Sequence, residues 1–157
     1  IYAEIVGYGA TTDAYHATAP DPSAESAARA MSQALDMAKV SPTEVSYINA
    51  HGTSTPLNDE SETRAIKIAF GKESKKTAIS STKSYTGHMF GASGALEALV
   101  SIKAINESFI PPTLGLYQPE FDLDFVPLNG RSQTINYALS NSFGFGGHNA
   151  SLLFKKY

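Results

Sequence analysis

The sequence contains no cysteine among its 157 residues, so the chain can form neither a disulfide bond nor a thiolate metal site. If its chemistry needs a cysteine nucleophile, that residue has to come from elsewhere. The formal net charge of −3 provides no basic stripe, and we therefore expect no nucleic-acid partner. No apolar run approaches the roughly 20 residues of a membrane span, and we expect no membrane partner.

Length and composition predict a single folded domain over residues 1–157. Hydrophobic residues make up 42% of the sequence and charged residues 17%, which is typical of a globular protein with its own core. The chain begins with Ile1 rather than methionine, and its first ten residues, IYAEIVGYGA, already have the pattern of a strand. We therefore expect the chain to be a piece of a longer polypeptide, and the absence of cysteine fits an intracellular one.

The hydrophobic pattern predicts alternating strands and helices. Strands are expected over residues 2–8, 44–50 and 77–82, with a final pair within 135–157 joined by a glycine-rich turn. Helices are expected after an Asp21 N-cap, over 59–70, and over an almost entirely apolar stretch at 92–108 that should be buried. Residues 113–134 have little periodicity and are expected to form a long loop. The order β, α, β, α, β, α, β, β favours a layered α/β fold around a five-stranded mixed sheet.

Two histidines follow predicted strands, where α/β folds place their ligands. His51 lies in the predicted loop NAHGTSTPLND, and the small hydroxyl residues after it leave room for a ligand. His88 lies in STKSYTGHMFGASG, close to Lys83. A cation beside an imidazole favours its neutral form, and two neutral imidazole donors converging on one oxygen would stabilise an oxyanion. A third histidine, His16, does not fall at a strand end.

Glu97 is an anomaly because it lies in GALEALV, within the apolar helix. An ionised carboxylate is costly to bury unless it is paired. Periodicity leaves two interpretations open: Glu97 lies on a narrow exposed stripe, or it pairs with Lys83, a histidine or a bound cation.

Four motifs together carry a family resemblance: NAHGTSTPLND, SSTKSYTGHMFGASGALEA, PPT and SNSFGFGGHNASLLF. In this order they resemble the type II β-ketoacyl-acyl carrier protein synthases of fatty acid synthesis. The resemblance implies a thiolase-type fold, in which two similar α/β halves pack into a five-layer sandwich. It also implies that this chain is the C-terminal half, and that the family's cysteine nucleophile belongs to the N-terminal half.

The resemblance also implies roles for individual residues. His51 and His88 match the two catalytic histidines, and Lys83 matches the lysine that tunes the second of them. Phe145 matches the gatekeeping phenylalanine, whose backbone amide joins an oxyanion hole, and Phe143 lies beside it. The threonines that hydrogen-bond the pantetheine arm of the substrate correspond to Thr53 and Thr55.

A monovalent cation is implied near Glu97, with the remaining ligands matching Asn49, Ser140 and Asn141. The chemistry itself requires no cofactor. The family often has threonine at the position of His148, and we expect no catalytic role for this histidine.

The implied activity is a decarboxylative Claisen condensation between malonyl-acyl carrier protein and an acyl group held on the missing cysteine. The implied partners are acyl carrier protein, the chain's own N-terminal half and a second copy of the full-length enzyme. The expected location is the cytoplasm, or an organelle in a eukaryote, and the isolated fragment is expected to be inactive. A polyketide ketosynthase domain and a non-catalytic chain-length-factor-like subunit remain as alternatives.

Overall fold

The computed structural model describes all residues from 1 to 157. Its helices and strands, in chain order, are β1 Ala3–Thr12, α1 Glu25–Ala38, β2 Val45–Asn49, α2 Pro56–Phe70, β3 Ala78–Ser80, α3 Lys83–Thr86, α4 Ser93–Glu107, β4 Phe109–Ile110, β5 Arg131–Ser132, β6 Tyr137–Gly144 and β7 His148–Lys156. The longer elements follow the predicted alternation of strands and helices. None of the helices combines the length and the apolar character needed to span a bilayer.

Five strands form one mixed sheet in the spatial order β1-β7-β6-β2-β3. Strand β2 runs parallel to β3 on one side and to β6 on the other. Strand β7 runs antiparallel to both β6 and β1. This arrangement confirms the predicted layered α/β fold and its five-stranded mixed sheet. The parallel centre brings the carboxyl ends of β2, β3 and β6 to one edge, where the candidate site lies.

Hydrophobic cores lie on both faces of the sheet, because neighbouring residues of a strand point to opposite faces. On β2, Ile48 joins the core that contains Met31 of α1 and Ile66 of α2. Its neighbour Tyr47 joins the second core, which contains Ile105 of α4. The central strands are therefore covered by helices on both sides, and their ends are held in fixed positions.

The structure corrects the predicted starts of two helices. Helix α1 begins at Glu25 with Ala24 as its N-cap, so the prediction of an Asp21 cap was wrong. Asp21 instead closes a turn before the helix, where its Oδ1 accepts the Ser23 amide at 2.9 Å. Helix α2 begins at Pro56, earlier than predicted. Its N-cap is Thr55, whose hydroxyl oxygen accepts the Asn58 amide at 3.4 Å, so Pro56 starts the helix rather than breaking it.

Helix α4 was expected to be buried because it is almost entirely apolar, and this expectation was only partly right. One face is buried and carries Glu97 and Ser101 together with the apolar Ala104 and Ile105, whereas Leu99 is 55% exposed. The side of the helix around Leu99 is therefore uncovered in the chain.

Residues 113–134 form a mostly irregular connection, as predicted, apart from the short strand β5. The connection is fastened to β3, because the Ile79 amide donates to the Asp124 carbonyl and the Ile79 carbonyl accepts the Val126 amide, both at 2.9 Å. Within the connection itself, the Arg131 guanidinium donates to both oxygens of the Asp124 carboxylate, at 2.6 and 2.7 Å.

Candidate active site

His51 leaves the end of β2 in a turn that a buried carboxylate holds. The backbone N–H groups of His51 and Gly52 donate to the two oxygens of Glu62, at 2.9 and 2.8 Å. The Ser81 hydroxyl donates to the Gly52 carbonyl at 2.7 Å. Gly52 has φ +42°, and a Cβ there would lie 2.4 Å from the Ser81 Cβ. The histidine is thus positioned by the backbone contacts of His51 and Gly52 and by the close approach of Ser81, the residue after β3.

Glu62 was missed in the sequence. It is buried in α2 and also accepts the Asn141 side-chain amide at 3.1 Å. Burial raises the pKa of its carboxyl group, while the N–H groups of Gly52 and His51 oppose this shift. One signal was available: Glu62 precedes buried Ile66 by one helical turn, so periodicity places it on the core-facing side of α2.

The rings of His51 and His88 lie edge to face, with centroids 5.6 Å apart and planes at 85°. His51 is only 7% exposed, and its Nδ1 has no hydrogen-bond partner in the chain. Burial lowers the pKa of His51 to about 3, with smaller contributions from the positive charge of Lys83 and from the neighbouring His88. His51 is therefore a neutral imidazole at physiological pH.

The hydrogen bonds around His88 determine which of its nitrogens carries the proton. The Phe90 amide donates to Nδ1 at 3.2 Å, and the Ser93 hydroxyl lies 3.2 Å from the same nitrogen. That hydroxyl oxygen already accepts the Met89 amide, which leaves its hydrogen free to point at Nδ1. Nδ1 is therefore an acceptor, and the N–H of the neutral ring is at Nε2.

Lys83 and Glu97 form a buried ion pair, with side chains 5% and 3% exposed. Of the partners left open for Glu97, the structure selects Lys83. Burial raises the pKa of the Glu97 carboxyl group, and Lys83 opposes that shift. The same lysine lowers the pKa of His51, so its charge acts on the first histidine.

Two oxygens beside this ion pair have no hydrogen-bond partner although they are buried, namely Asn49 Oδ1 and Glu97 Oε2. The Asn49 amide points at the Glu97 carbonyl at 3.5 Å, so these two residues are neighbours. Such oxygens are suitable ligands for a hard cation. The amide of Asn141 is already engaged by Glu62 and by Ser151, so its side chain fits this role less well.

The two predicted threonines and the two predicted phenylalanines lie around the histidines. Thr53 and Thr55 have hydroxyl oxygens 3.1 Å apart. The Phe143 ring lies 5.6 Å from the His51 ring, whereas Phe145 is 74% exposed on the turn between β6 and β7.

An open cleft of about 1330 Å³ unites these side chains. Its lining includes His51, Thr53, Thr55, His88, Phe143, Phe145 and His148. Lys83, Glu97 and Asn49 do not line the cleft. The cleft thus presents the two neutral imidazoles of His51 and His88, the second with its N–H at Nε2, next to the exposed ring of Phe145. It contains no thiol that could act as a nucleophile.

Comparison with known proteins identifies the family of the chain. The family described as β-ketoacyl synthase, C-terminal domain, matches residues 2–117. A protein named 3-oxoacyl-[acyl-carrier-protein] synthase 2, from Synechocystis sp., is 56% identical over this whole chain, which spans 38% of that relative's length.

Solved structures agree as well. A type II polyketide ketosynthase in complex with its acyl-carrier protein superposes with a TM-score of 0.96 at 37% identity, over the whole chain and 39% of the structure. A β-ketoacyl synthase from Burkholderia phymatum does so with a TM-score of 0.91 at 42% identity, over the whole chain and 38% of the structure. The chain belongs to the β-ketoacyl synthase family and corresponds to its C-terminal domain.

Proposed function

We propose that this chain is the histidine-bearing part of a 3-oxoacyl-[acyl-carrier-protein] synthase that elongates fatty acids. The observation that carries the proposal is the pair of neutral imidazoles, His51 and His88, meeting at an open cleft. The name of the Synechocystis relative supports the same activity.

Decarboxylation of malonyl thioester breaks the bond between the α-carbon and the carboxylate and leaves the electron pair on an enolate. His88 Nε2–H and the N–H of His51 donate to the thioester oxygen, where this charge develops. The resulting carbon nucleophile attacks the acyl thioester carbonyl, a carbon–carbon bond forms and the enzyme thiolate leaves. His51 suits this task because its lowered pKa keeps the ring neutral, so that it stays in one protonation state throughout the reaction.

The thiolate has to come from a partner segment, since the chain has no cysteine. We assign this role to the N-terminal half of the full-length enzyme, docked on the open cleft and on the uncovered side of α4. The exposed Leu99 and Phe90 support the assignment, because exposed apolar residues rimming a large cleft are typical of a contact surface. The further partners are acyl carrier protein and a second copy of the full-length enzyme. Acyl carrier protein delivers both substrates, and Thr53 and Thr55 hydrogen-bond its pantetheine arm.

A monovalent cation is proposed beside the ion pair, held by Asn49 and Glu97, with Ser140 at the strand position paired with Asn49. The unpartnered Asn49 Oδ1 and Glu97 Oε2 support this placement. When bound, the cation would give these two buried oxygens a partner. The condensation steps themselves use no other cofactor in this proposal.

A polyketide ketosynthase is the second candidate, and the superposition on a ketosynthase of that class favours it. The presence of His51, Lys83 and His88 in one cluster argues against a non-catalytic chain-length-factor-like subunit, because such a subunit needs none of them. The bacterial origin of the Synechocystis relative supports a cytoplasmic location, which stays a prediction.

The test uses the full-length protein and two substrates. One is an acyl carrier protein loaded with a saturated acyl chain, and the other is malonyl-acyl carrier protein labelled in its free carboxylate. The proposal expects labelled carbon dioxide and one β-ketoacyl product extended by two carbons. Repeated extension without reduction of the ketone would favour the polyketide class. The isolated chain of 157 residues should release neither product, and a β-ketoacyl product from it alone would overturn the assignment of the nucleophile to a partner segment.

A further inference from the structure

A second cavity, which we call the rear cavity, lies behind the turn that carries His51. It has a volume of about 360 Å³, within the range of cavities that hold small organic molecules. Its walls come mainly from α2, from the His51 turn and from the segment 113–121 after β4. Pro56 is the only lining residue that it shares with the cleft, and no histidine lines it. The rear cavity is therefore a space separate from the cleft.

The short segment 51–55 forms the wall between the two spaces. Its residues alternate in the space that they line: the cleft is lined by His51, Thr53 and Thr55, and the rear cavity by Gly52 and Ser54. The Gly52 amide donates to Glu62 at 2.8 Å, and the Gly52 carbonyl accepts the Ser81 hydroxyl at 2.7 Å. A molecule in the rear cavity thus packs against the contacts that position His51 and leaves the cleft free.

The rear cavity offers an apolar surface to a ligand. Ile66 of α2 and Ile79 of β3 belong to the hydrophobic core on this side of the sheet, and both also line the cavity. The partly exposed rings of Phe121 and Phe125 line it from the connection after β4. Covering such surface removes apolar area from water, so an apolar group of a ligand is stabilised there.

The charges that line the rear cavity are all negative. Its carboxylates are those of Asp59, Glu62 and Glu120, and no lysine, arginine or histidine lines it. Glu62 is engaged by two backbone N–H groups, whereas Asp59 and Glu120 form no ion pair within the chain. A concave surface with charge of one sign attracts ions of the opposite sign and repels those of its own. The cavity therefore favours a cationic ligand and disfavours carboxylates and phosphates.

We propose that the rear cavity is a binding site for a small amphipathic amine. The apolar part of the amine packs against Ile66, Ile79 and the two phenylalanine rings, and its ammonium group faces the carboxylates of Asp59 and Glu120. An alkylamine suits the site because it is protonated at neutral pH, like the side chain of lysine. The site lies outside the cleft, and its ligand binds independently of the proposed condensation.

Three probes that share a phenyl ring and a four-carbon chain separate charge from apolar contact. They are 4-phenylbutylamine, 5-phenylpentanoate and 4-phenylbutan-1-ol, which end in an ammonium, a carboxylate and a hydroxyl group. Their affinities for the full-length enzyme are measured by calorimetry, and the amine complex is crystallised. The variant Asp59→Asn/Glu120→Gln removes the two free charges. Glu60→Gln is the matched control, because Glu60 is an exposed acid beside Asp59 that does not line the cavity.

The amine should bind about tenfold more tightly than the carboxylate, with the alcohol between them, because the field of the cavity distinguishes the two charges. The double variant should weaken binding of the amine about fivefold, and added salt should weaken it in the wild type, since both carboxylates are reached by solvent. Glu60→Gln should bind the amine as the wild type does. The crystal structure should show the amine between α2 and residues 113–121.

Equal affinities for the amine and the carboxylate, or an unchanged affinity in the double variant, would overturn the assignment of a cationic ligand. Absence of saturable binding, or an amine seen only in the cleft, would overturn the site itself. Glu120→Gln alone repeats the charge test on the exposed connection if the change in α2 impairs folding. These measurements need no turnover, so a failure of condensation would contradict the proposed function and leave the binding result standing.

Discussion

The rings of His51 and His88 meet edge to face with centroids 5.6 Å apart, although His51 comes from the end of a strand and His88 from a loop after α3. This contact is possible because β2 and β3 are parallel neighbours, so the segments that follow them emerge at the same edge of the sheet. Two imidazoles at this distance can donate to one oxygen bound between them.

Replacing His51 by alanine in the full-length enzyme should reduce malonyl decarboxylation by on the order of 100- to 1000-fold, the cost of one lost oxyanion donor. Acyl transfer to the cysteine should remain largely intact, because it does not create the enolate. The two steps are measured separately, by release of labelled carbon dioxide and by acylation of the enzyme. His148→Ala is the control and should change decarboxylation far less. An equal loss of both steps in His51→Ala would indicate a collapsed site rather than a missing donor.

Stability should depend on pH through His51. Its ordinary pKa of 6.5 applies in the unfolded chain, whereas burial lowers the pKa to about 3 in the folded one. Between these values the unfolded state binds a proton that the folded state does not, so the free energy of unfolding decreases as the pH falls. The slope from this one group is at most about 1.4 kcal/mol per pH unit.

The raised pKa values of Glu62 and Glu97 change the free energy of unfolding in the opposite direction as the pH falls, because these carboxyl groups bind a proton more readily in the folded state. The useful measurement is therefore the difference in unfolding free energy between wild type and His51→Asn, followed by denaturant titration from pH 7 down to the acid limit of reversible folding. The wild type should lose more stability than the variant as the pH falls below 6.5. Parallel curves for the two proteins would contradict a lowered pKa at His51.

The buried pair of Lys83 and Glu97 should respond very differently to single and double substitution. Lys83→Met leaves a buried carboxylate without its partner and should cost about 3–5 kcal/mol of unfolding free energy. Lys83→Met combined with Glu97→Leu should recover much of this loss, because an apolar pair of similar volume needs no compensation. Catalysis should not recover, since the lysine charge that lowers the pKa of His51 is still absent.

The matched control is the exposed ion pair of Lys103 and Glu107 on the same helix, with side chains 63% and 55% exposed. Lys103→Ala should change stability far less than Lys83→Met does, because solvent screens an exposed ion pair. A double variant at Lys83 and Glu97 that is no more stable than Lys83→Met would show that the loss comes from packing rather than from an unpaired charge.

The histidines could be predicted because their chemistry is visible in single residues at the ends of predicted strands. The contact between Lys83 and Glu97 was one of several open possibilities, because periodicity cannot say which polar group meets a buried carboxylate. Periodicity places Glu62 on the inner side of α2, but its role could not be assigned. The groups that hold it to the His51 turn are the backbone N–H groups of His51 and Gly52, and a backbone amide leaves no mark in a sequence.

Helix α4 shows a different limit. An apolar helix is expected to be buried, and this one turns Glu97 and Ser101 inward and Leu99 outward. Hydrophobicity predicts that a surface will be covered, but it does not say whether the covering residues belong to the same chain. A separate error concerns Pro56, which was placed in the predicted loop NAHGTSTPLND. Proline breaks a helix in its interior but is well placed in the first turn, where α2 begins.

Alanine substitutions at the two glycines after Phe145 should distinguish an effect on acyl loading from an effect on stability. Both have a left-handed backbone, with φ +79° at Gly146 and +74° at Gly147, so alanine at either position costs about 1–2 kcal/mol in backbone strain. At Gly146 a new Cβ would lie 3.3 Å from the His148 ring, which can move aside. At Gly147 it would lie 2.8 Å from the Asp13 Cβ and 3.2 Å from the Asp13 backbone nitrogen, neither of which can move freely.

Gly147→Ala should therefore lower the thermal midpoint of the full-length enzyme more than Gly146→Ala does. Gly146→Ala should slow acyl loading of the cysteine more than its small loss of stability explains, because the substitution stiffens the residue that follows the gating ring. The comparison is the rate of acylation against the thermal midpoint for the two variants, measured on the folded fraction. If Gly146→Ala loses several kcal/mol of stability while the folded protein acylates at the wild-type rate, the turn is purely structural and Phe145 does not gate the site.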